Sequence, residues 1–135
     1  MIFIDSSVFI AYANKRDRFH SRAETLIRDT VQGEYGQAIT SDYIFDEVVT
    51  TTLVRTRDFQ LAKSIGEYLL SSEVDMMRVE EKDFEMAWEF FAKYRNLSFT
   101  DCTCLGVMKA RNMRRIESFD SGFLGKADVV GLESG

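Results

Sequence analysis

Proline is absent from this chain, and histidine and tryptophan occur once each. Without proline, and with no Gly/Ser-rich run, repeat or low-complexity stretch, nothing marks a hinge or linker. The 135 residues are therefore expected to form one domain, a length that buries a core without staples. One histidine excludes a His-rich zinc site. It is His20, in the polar stretch Lys15-Arg16-Asp17-Arg18-Phe19-His20, and is expected at the surface. There are only two cysteines, Cys102 and Cys104. Two apart in an expected helix, their side chains diverge, so they are read as reduced and buried in a cytoplasmic protein. No apolar run approaches the roughly 18 to 20 residues of a membrane span, and Met1-Ile2-Phe3-Ile4-Asp5 has no basic leader region. Net positive charge is missing too. At −5, with a pI near 4.9, the chain does not coat nucleic acid through bulk charge, although a few local cations can still hold a phosphate strand.

What is present is an ordinary globular composition, 45% hydrophobic and 29% charged, with 11 Phe and 5 Tyr for a core. Short apolar runs alternate with helical patterns. Ile2-Phe3-Ile4 reads as a buried strand stopped by Asp5, with a helix through Val8–Tyr12 and another over Phe19–Gln32. Gln37–Thr40 is a second strand. Ser41 caps a helix to about Arg57 whose buried arc is Ile44, Phe45, Val48, Val49 and Leu53, with Glu47 at its border. A helix over Asp58–Ser72, a strand at Met76–Val79 and a helix over Glu80–Tyr94 follow. In the last, Phe84, Ala87, Trp88 and Phe91 recur at helical spacing and are read as core. Ser98 or Thr100 caps a helix running to about Arg115, and strands follow at Ile116–Phe119 and Asp128–Leu132. The alternation predicts an α/β fold with a central, mainly parallel sheet flanked by helices in three layers. Such sheets bind ligands beyond the carboxyl ends of their strands.

Two acids stand at those ends, Asp5 after Ile2-Phe3-Ile4 and Asp120 after Ile116-Glu117-Ser118-Phe119. Asp101 lies in the first turn of a helix and Glu47 borders the buried face of another. Four carboxylates from four elements can thus converge. Hard divalent ions, magnesium or manganese, take oxygen ligands of this kind and few others. Without a cation, clustered carboxylates repel, and some hold protons above their usual pKa near ~4. With it, they can activate water for phosphodiester hydrolysis. Each acid also has an ordinary use: Asp5 as a helix cap, Asp101 for the helix dipole, Glu47 on a solvated face, and Asp120 before a turn at Gly122.

Taken in order, Ile2-Phe3-Ile4-Asp5-Ser6-Ser7-Val8, Glu47, Leu97-Ser98-Phe99-Thr100-Asp101-Cys102 and Ser118-Phe119-Asp120-Ser121-Gly122-Phe123 resemble the PIN-domain ribonucleases, especially the VapC-like toxins of toxin-antitoxin pairs. The resemblance covers nearly the whole chain. It implies a PIN-like fold and a metal-dependent endoribonuclease acting on single-stranded RNA. By position, Asp5, Glu47, Asp101 and Asp120 match the family's metal-binding and catalytic acids. Ser6, Ser98 and Ser118 match hydroxyls that orient them. It also implies a homodimer and a small antitoxin partner. Where some relatives carry a further acid after the position of Asp120, this chain has Ser121 and Gly122, which implies a weaker hold on a second ion.

Arg55, Arg57, Lys109 and Arg111 are the favoured RNA contacts, with Lys63, Arg114 and Arg115 as further candidates. The competing readings are a catalytically silent PIN-like module that binds RNA or protein, a metal-dependent DNA flap nuclease, and a phosphatase. A haloacid-dehalogenase-type phosphatase needs a second Asp two residues after its nucleophile. Ser7 occupies that position here.

Overall fold

The structure is a computed structural model that describes residues 1–132. Five short strands, β1 (Ile2–Ile4), β2 (Ala38–Ser41), β3 (Asp75–Met77), β4 (Arg115–Glu117) and β5 (Asp128–Val130), alternate with helices. The helices are α1 (Ser6–Ala13), α2 (His20–Val31), α3 (Asp42–Thr56), α4 (Phe59–Ser71), α5 (Glu81–Lys93) and α6 (Phe99–Ala110). A 3₁₀ turn at Ser121–Phe123 joins β4 to β5. The strand order is β3-β2-β1-β4-β5 and every pairing is parallel. With helices on both faces, β1 is central and Ile2, Phe3 and Ile4 are fully buried, which accounts for an apolar run rather than an alternating one. No helix among the described residues is long and apolar enough to cross a membrane.

Element ends depart from the sequence reading where side chains take over backbone groups. β3 stops at Met77 because Asp42 Oδ1 accepts the Val79 N–H at 3.0 Å. Beyond β4 the Ser118 N–H still bonds the Val130 carbonyl at 2.9 Å, and the Phe119 and Asp120 N–H groups then go to serine hydroxyls. α6 ends at Ala110, not Arg115: Asn112 enters the left-handed region at φ 54° and turns the chain toward β4. Ser41 and Ser98 are the caps of α3 and α6, accepting from the Ile44 and Asp101 N–H groups.

The aromatic stripe of α5 is not core. Phe84 is 45% exposed, Trp88 61% and Phe91 40%. The reason is the closeness of α5 to α6. A Cβ on Gly106 of α6 would lie 2.6 Å from the Asp83 carbonyl oxygen, so only small groups fit the contact, and Ala87 is the apolar residue of α5 buried there. The large rings lie outside it, where Trp88 stacks on Phe91 at 5.6 Å and Phe99 meets Phe84 edge-on at 5.1 Å. Leu53 likewise leaves the expected arc of α3 at 40% exposure, and Thr52 is buried in its place. His20 is not a free surface residue: its Nδ1 is 2.7 Å from the Ala11 carbonyl oxygen and its Nε2 is 3.4 Å from Glu24. Cys102 and Cys104 are both buried and free.

Two acids lie wholly inside the fold, Asp83 and Glu117. Glu117 on β4 is fully buried and its Oε1 has no partner. Thr30 Oγ1 is 2.7 Å from both Glu117 Oε2 and the Leu26 carbonyl oxygen. A hydroxyl has one proton and the carbonyl can only accept, so the second bond requires a protonated Glu117 to donate. Burial pushes its carboxyl up to about 7, and the charge of Asp29 adds to the rise, in agreement with that proton count.

The tight α5–α6 crossing yields a direct test. Gly106→Ala places its methyl against backbone rather than against a movable side chain, so the helices must part. Thermal or urea unfolding should show a loss of about 1–3 kcal/mol; unchanged stability would mean that the crossing is not close-packed.

Candidate active site

Because β1 and β4 are parallel neighbours in register Ile4↔Glu117, the residues that follow them emerge side by side. The Asp5 N–H bonds the Glu117 carbonyl at 3.0 Å, which continues the ladder one residue past the strand. Asp5 stands at the N-cap of α1, yet its carboxylate caps nothing. Two serines hold it instead. Ser7 Oγ donates to Asp5 Oδ2 at 2.9 Å and accepts the Phe119 N–H at 3.0 Å. Ser118 Oγ donates to the same oxygen at 2.8 Å and accepts the Asp120 N–H at 2.9 Å. The two hydroxyls thus relay the polarity of the β4 exit onto Asp5 and fix its rotamer. Ser6 Oγ lies 2.6 Å from Glu47 Oε1 and 3.4 Å from Asp5 Oδ1. Its single proton goes to the shorter contact, so Asp5 Oδ1 keeps its lone pairs free.

Asp101 comes from the N-terminus of α6, where it forms a capping box with Ser98: the Ser98 hydroxyl accepts the Asp101 N–H at 3.0 Å and Asp101 Oδ2 accepts the Ser98 N–H at 3.4 Å. Ser98 therefore reaches the Asp101 backbone with its hydroxyl. Asp120 caps the 3₁₀ turn, accepting the Gly122 N–H at 2.8 Å. All four acids line one open cavity of about 680 Å³, together with Ser6, Ser7, Ser98, Asp17, Arg18 and Arg55. Five carboxylates face two guanidiniums in it.

The electrostatics follow from that crowding. Burial raises the Asp5 carboxyl, opposed mainly by the Ser118 and Ser7 hydroxyls. Asp101 is pushed up to about 7, first by burial and then by the charges of Asp5, Asp120 and Glu47. Burial, and then the charges of Asp5, Asp101 and Glu47, raise the Cys104 thiol well above its usual value, so it stays protonated. Among the described residues, no three acid, cysteine or histidine groups already stand close enough to hold one ion. The donor chemistry nonetheless fits a hard cation, with carboxylate and hydroxyl oxygens facing the cavity and no exposed nitrogen or thiolate ligand.

The sequence pattern of the PIN domain family matches residues 2–129. The chain belongs to the PIN-domain family. Among PIN proteins it is 29% identical over 126 residues to the 23S rRNA-specific endonuclease VapC20 of Mycobacterium tuberculosis, covering 91% of this chain and 92% of the relative. It is 23% identical over 123 residues to a VapC ribonuclease of Archaeoglobus fulgidus, covering 89% and 77%. The crystal structure of the mycobacterial VapC20, described as a Sarcin-Ricin loop cleaving toxin, superposes with a TM-score of 0.80 over 91% of this chain and 92% of that one, at 28% identity. VapBC2 of Rickettsia felis, bound to a promoter DNA fragment, shares the PIN fold with a TM-score of 0.71 over 96% of this chain and 98% of that one, at 11% identity.

The expected cations divide. Arg55 lines the acidic cavity. Arg57 is the left-handed C-cap of α3, Lys63 pairs with Glu67 at 3.7 Å, and Arg115 donates to the Tyr35 carbonyl at 2.8 Å. Arg111 is spent on the fold, 3.5 Å from buried Asp83 and 3.0 Å from the Val107 carbonyl oxygen. Lys109 and Arg114 line a different cavity. Ser7 and Arg18 were missed. Adjacency to Asp5 was the available signal for Ser7, whereas Arg18 sits in an irregular charged stretch without periodicity.

A carboxyl raised from 3.8 to about 7 in the fold binds protons that the unfolded chain has released. Its contribution to stability is complete below about pH 4 and is lost as pH rises through about 7. In chelator, Asp101→Asn should raise the unfolding midpoint at pH 8 and leave it nearly unchanged at pH 4. Buried Glu117 leaves a residual slope of the same sign. A variant less stable than the parent at both pH values would show that the cap matters and the crowding does not.

Proposed function

We propose that this PIN domain is a divalent-metal-dependent endoribonuclease of the VapC toxin type, hydrolysing single-stranded RNA with magnesium or manganese held by Asp5, Glu47, Asp101 and Asp120. One observation carries the reading: three other acids press on Asp101 in a single open cavity, and a cation relieves that repulsion. The similarity to an rRNA-specific endonuclease over nine-tenths of both chains supports RNA as substrate.

When bound, the ion supplies an acidified water and counter-charge for the leaving oxygen. The chain does the rest. Ser7 and Ser118 hold Asp5 with Oδ1 free toward the cavity, and Ser6 holds Glu47 beside it. Asp101 would hold the cation as a carboxylate, its proton released to solvent. Arg18 and Arg55 offer the phosphate a contact that five carboxylates would otherwise repel. Hydrolysis adds water across one phosphorus–oxygen bond, leaving one phosphate end and one hydroxyl end.

The same reading makes the protein a cytoplasmic toxin that pairs with itself and with a small antitoxin. The Phe84, Trp88 and Phe91 surface supports a protein partner, because these rings stay 40–61% exposed although they pack on one another and on Phe99, which leaves apolar area to cover.

Mixed-sequence single-stranded RNA incubated with manganese or magnesium should be cut at mapped sites, and cutting should vanish in EDTA and in the Asp5→Asn plus Asp101→Asn variant. Ser118→Ala should lower the rate or the metal affinity by about 10–100-fold, as loss of a ligand-orienting group does. Equal cutting by parent and double variant would assign the activity to a contaminant. Metal that neither supports cutting nor raises the parent's melting temperature would remove the four-acid site.

A further inference from the structure

A second cavity, of about 1040 Å³, lies between α5, α6 and the β4–β5 connection. Its chemistry is the inverse of the first. Lys109, Arg114 and Lys126 line it against a single acid, Asp128, on a chain whose net charge is −5. Among the described residues no salt bridge engages any of these three cations. Two of them are held by rings: Phe90 and Tyr94 stack at 5.7 Å, with Lys109 Nζ 5.8 Å from the Phe90 centroid and Lys126 Nζ 5.1 Å from the Tyr94 centroid. Ring contact within about 6 Å restrains ammonium groups that otherwise sample many rotamers. Lys109 and Lys126 are therefore partly ordered, and the three cations face one acid, Asp128, without an ion pair among the described residues.

A chain of two hydrogen bonds links the cavity to the acidic one. Lys126 Nζ donates to the Gly122 carbonyl at 2.8 Å, and the Gly122 N–H donates to Asp120 Oδ1 at 2.8 Å. The 3₁₀ turn Ser121–Phe123 thus has a catalytic carboxylate on one side and an ammonium on the other. We propose that the basic cavity is a second RNA site, in which Lys109, Arg114 and Lys126 hold a phosphate of the substrate strand away from the bond being cut. This rests on the ribonuclease reading and extends it. An acidic metal centre repels the phosphates on either side of the one it cleaves, so a strand gains most of its electrostatic attraction beyond that centre. The link through Gly122 to Asp120 favours a strand that reaches both cavities over an acidic segment of a protein.

The test is binding without cleavage. A short fluorescent single-stranded RNA is titrated in EDTA against the parent, a Lys109→Ala plus Arg114→Ala variant, and an Arg28→Ala plus Lys82→Ala control that removes the same charge from exposed positions elsewhere. The cavity variant should bind about 10-fold more weakly, and its plot of log affinity against log salt should be shallower by about 0.7 per lost contact. The control should bind like the parent, and Lys109→Arg plus Arg114→Lys should restore binding.

Equal losses in cavity variant and control would reduce the effect to bulk charge and overturn the proposal. So would unaltered RNA binding by the cavity variant, or no binding by the parent. If polyglutamate is titrated in parallel and the cavity variant keeps RNA but loses polyglutamate, the cavity belongs to a protein partner, which also overturns the proposal. Failure of the parent to cut any RNA in manganese would sink the ribonuclease reading, while the titration in EDTA still reports on the cavity.

Discussion

The arrangement depends on one buried carboxylate. Asp5 leaves the central strand at the edge of an open cavity but is itself only 2% exposed, and that burial disfavours its charge. Two serine hydroxyls, one on either side of the β1–β4 seam, oppose that cost by placing both their protons on Oδ2. Their lone pairs are in turn filled by the N–H groups of Phe119 and Asp120, so past the Ser118 N–H, which still bonds Val130, the chain leaving β4 gives its donors to the Asp5 cradle. The course of the chain toward Asp120 and the orientation of Asp5 are one hydrogen-bond system. A change at any member moves the others.

The acids around Asp5 share a second property: most of them hold the backbone as well as facing the cavity. Asp101 closes a capping box and Asp120 caps the 3₁₀ turn. These bonds are the ordinary uses that the sequence suggested as alternatives to a site. The structure makes them compatible, because each carboxylate has two oxygens and a cap needs one. A capped carboxylate is held in one rotamer, which suits a group that must face its neighbours across a cavity.

Much of the fold was legible because its strands are short apolar runs, each stopped by a polar residue or a turn, and because parallel order follows from their alternation with helices. The acids were legible as a set for the same reason, since strand ends and first helical turns are recognisable positions. Side-chain allegiance was not. Nothing in a helical period says that Phe84, Trp88 and Phe91 lie outside the crossing that Ala87 and Gly106 make close, or that Arg111 turns inward to Asp83 while Lys109, two residues earlier, lines an open cavity. Those facts depend on how near two helices approach. The role of Ser7 depends on a strand more than a hundred residues away in sequence.

Asp101 and Glu117 show how one shift can mean two things. Both carboxyls are pushed up to about 7 and both owe it first to burial. Glu117 is sealed between β4 and α2, where its proton completes a bond to Thr30 and no cation can reach it. Its neutrality belongs to the core. Asp101 opens on a cavity, and its further causes are three carboxylates that a cation can offset. The same proton is structural in one place and exchangeable in the other. What separates them is access, and access comes from the side-by-side exit of β1 and β4 that opens the cavity above the sheet.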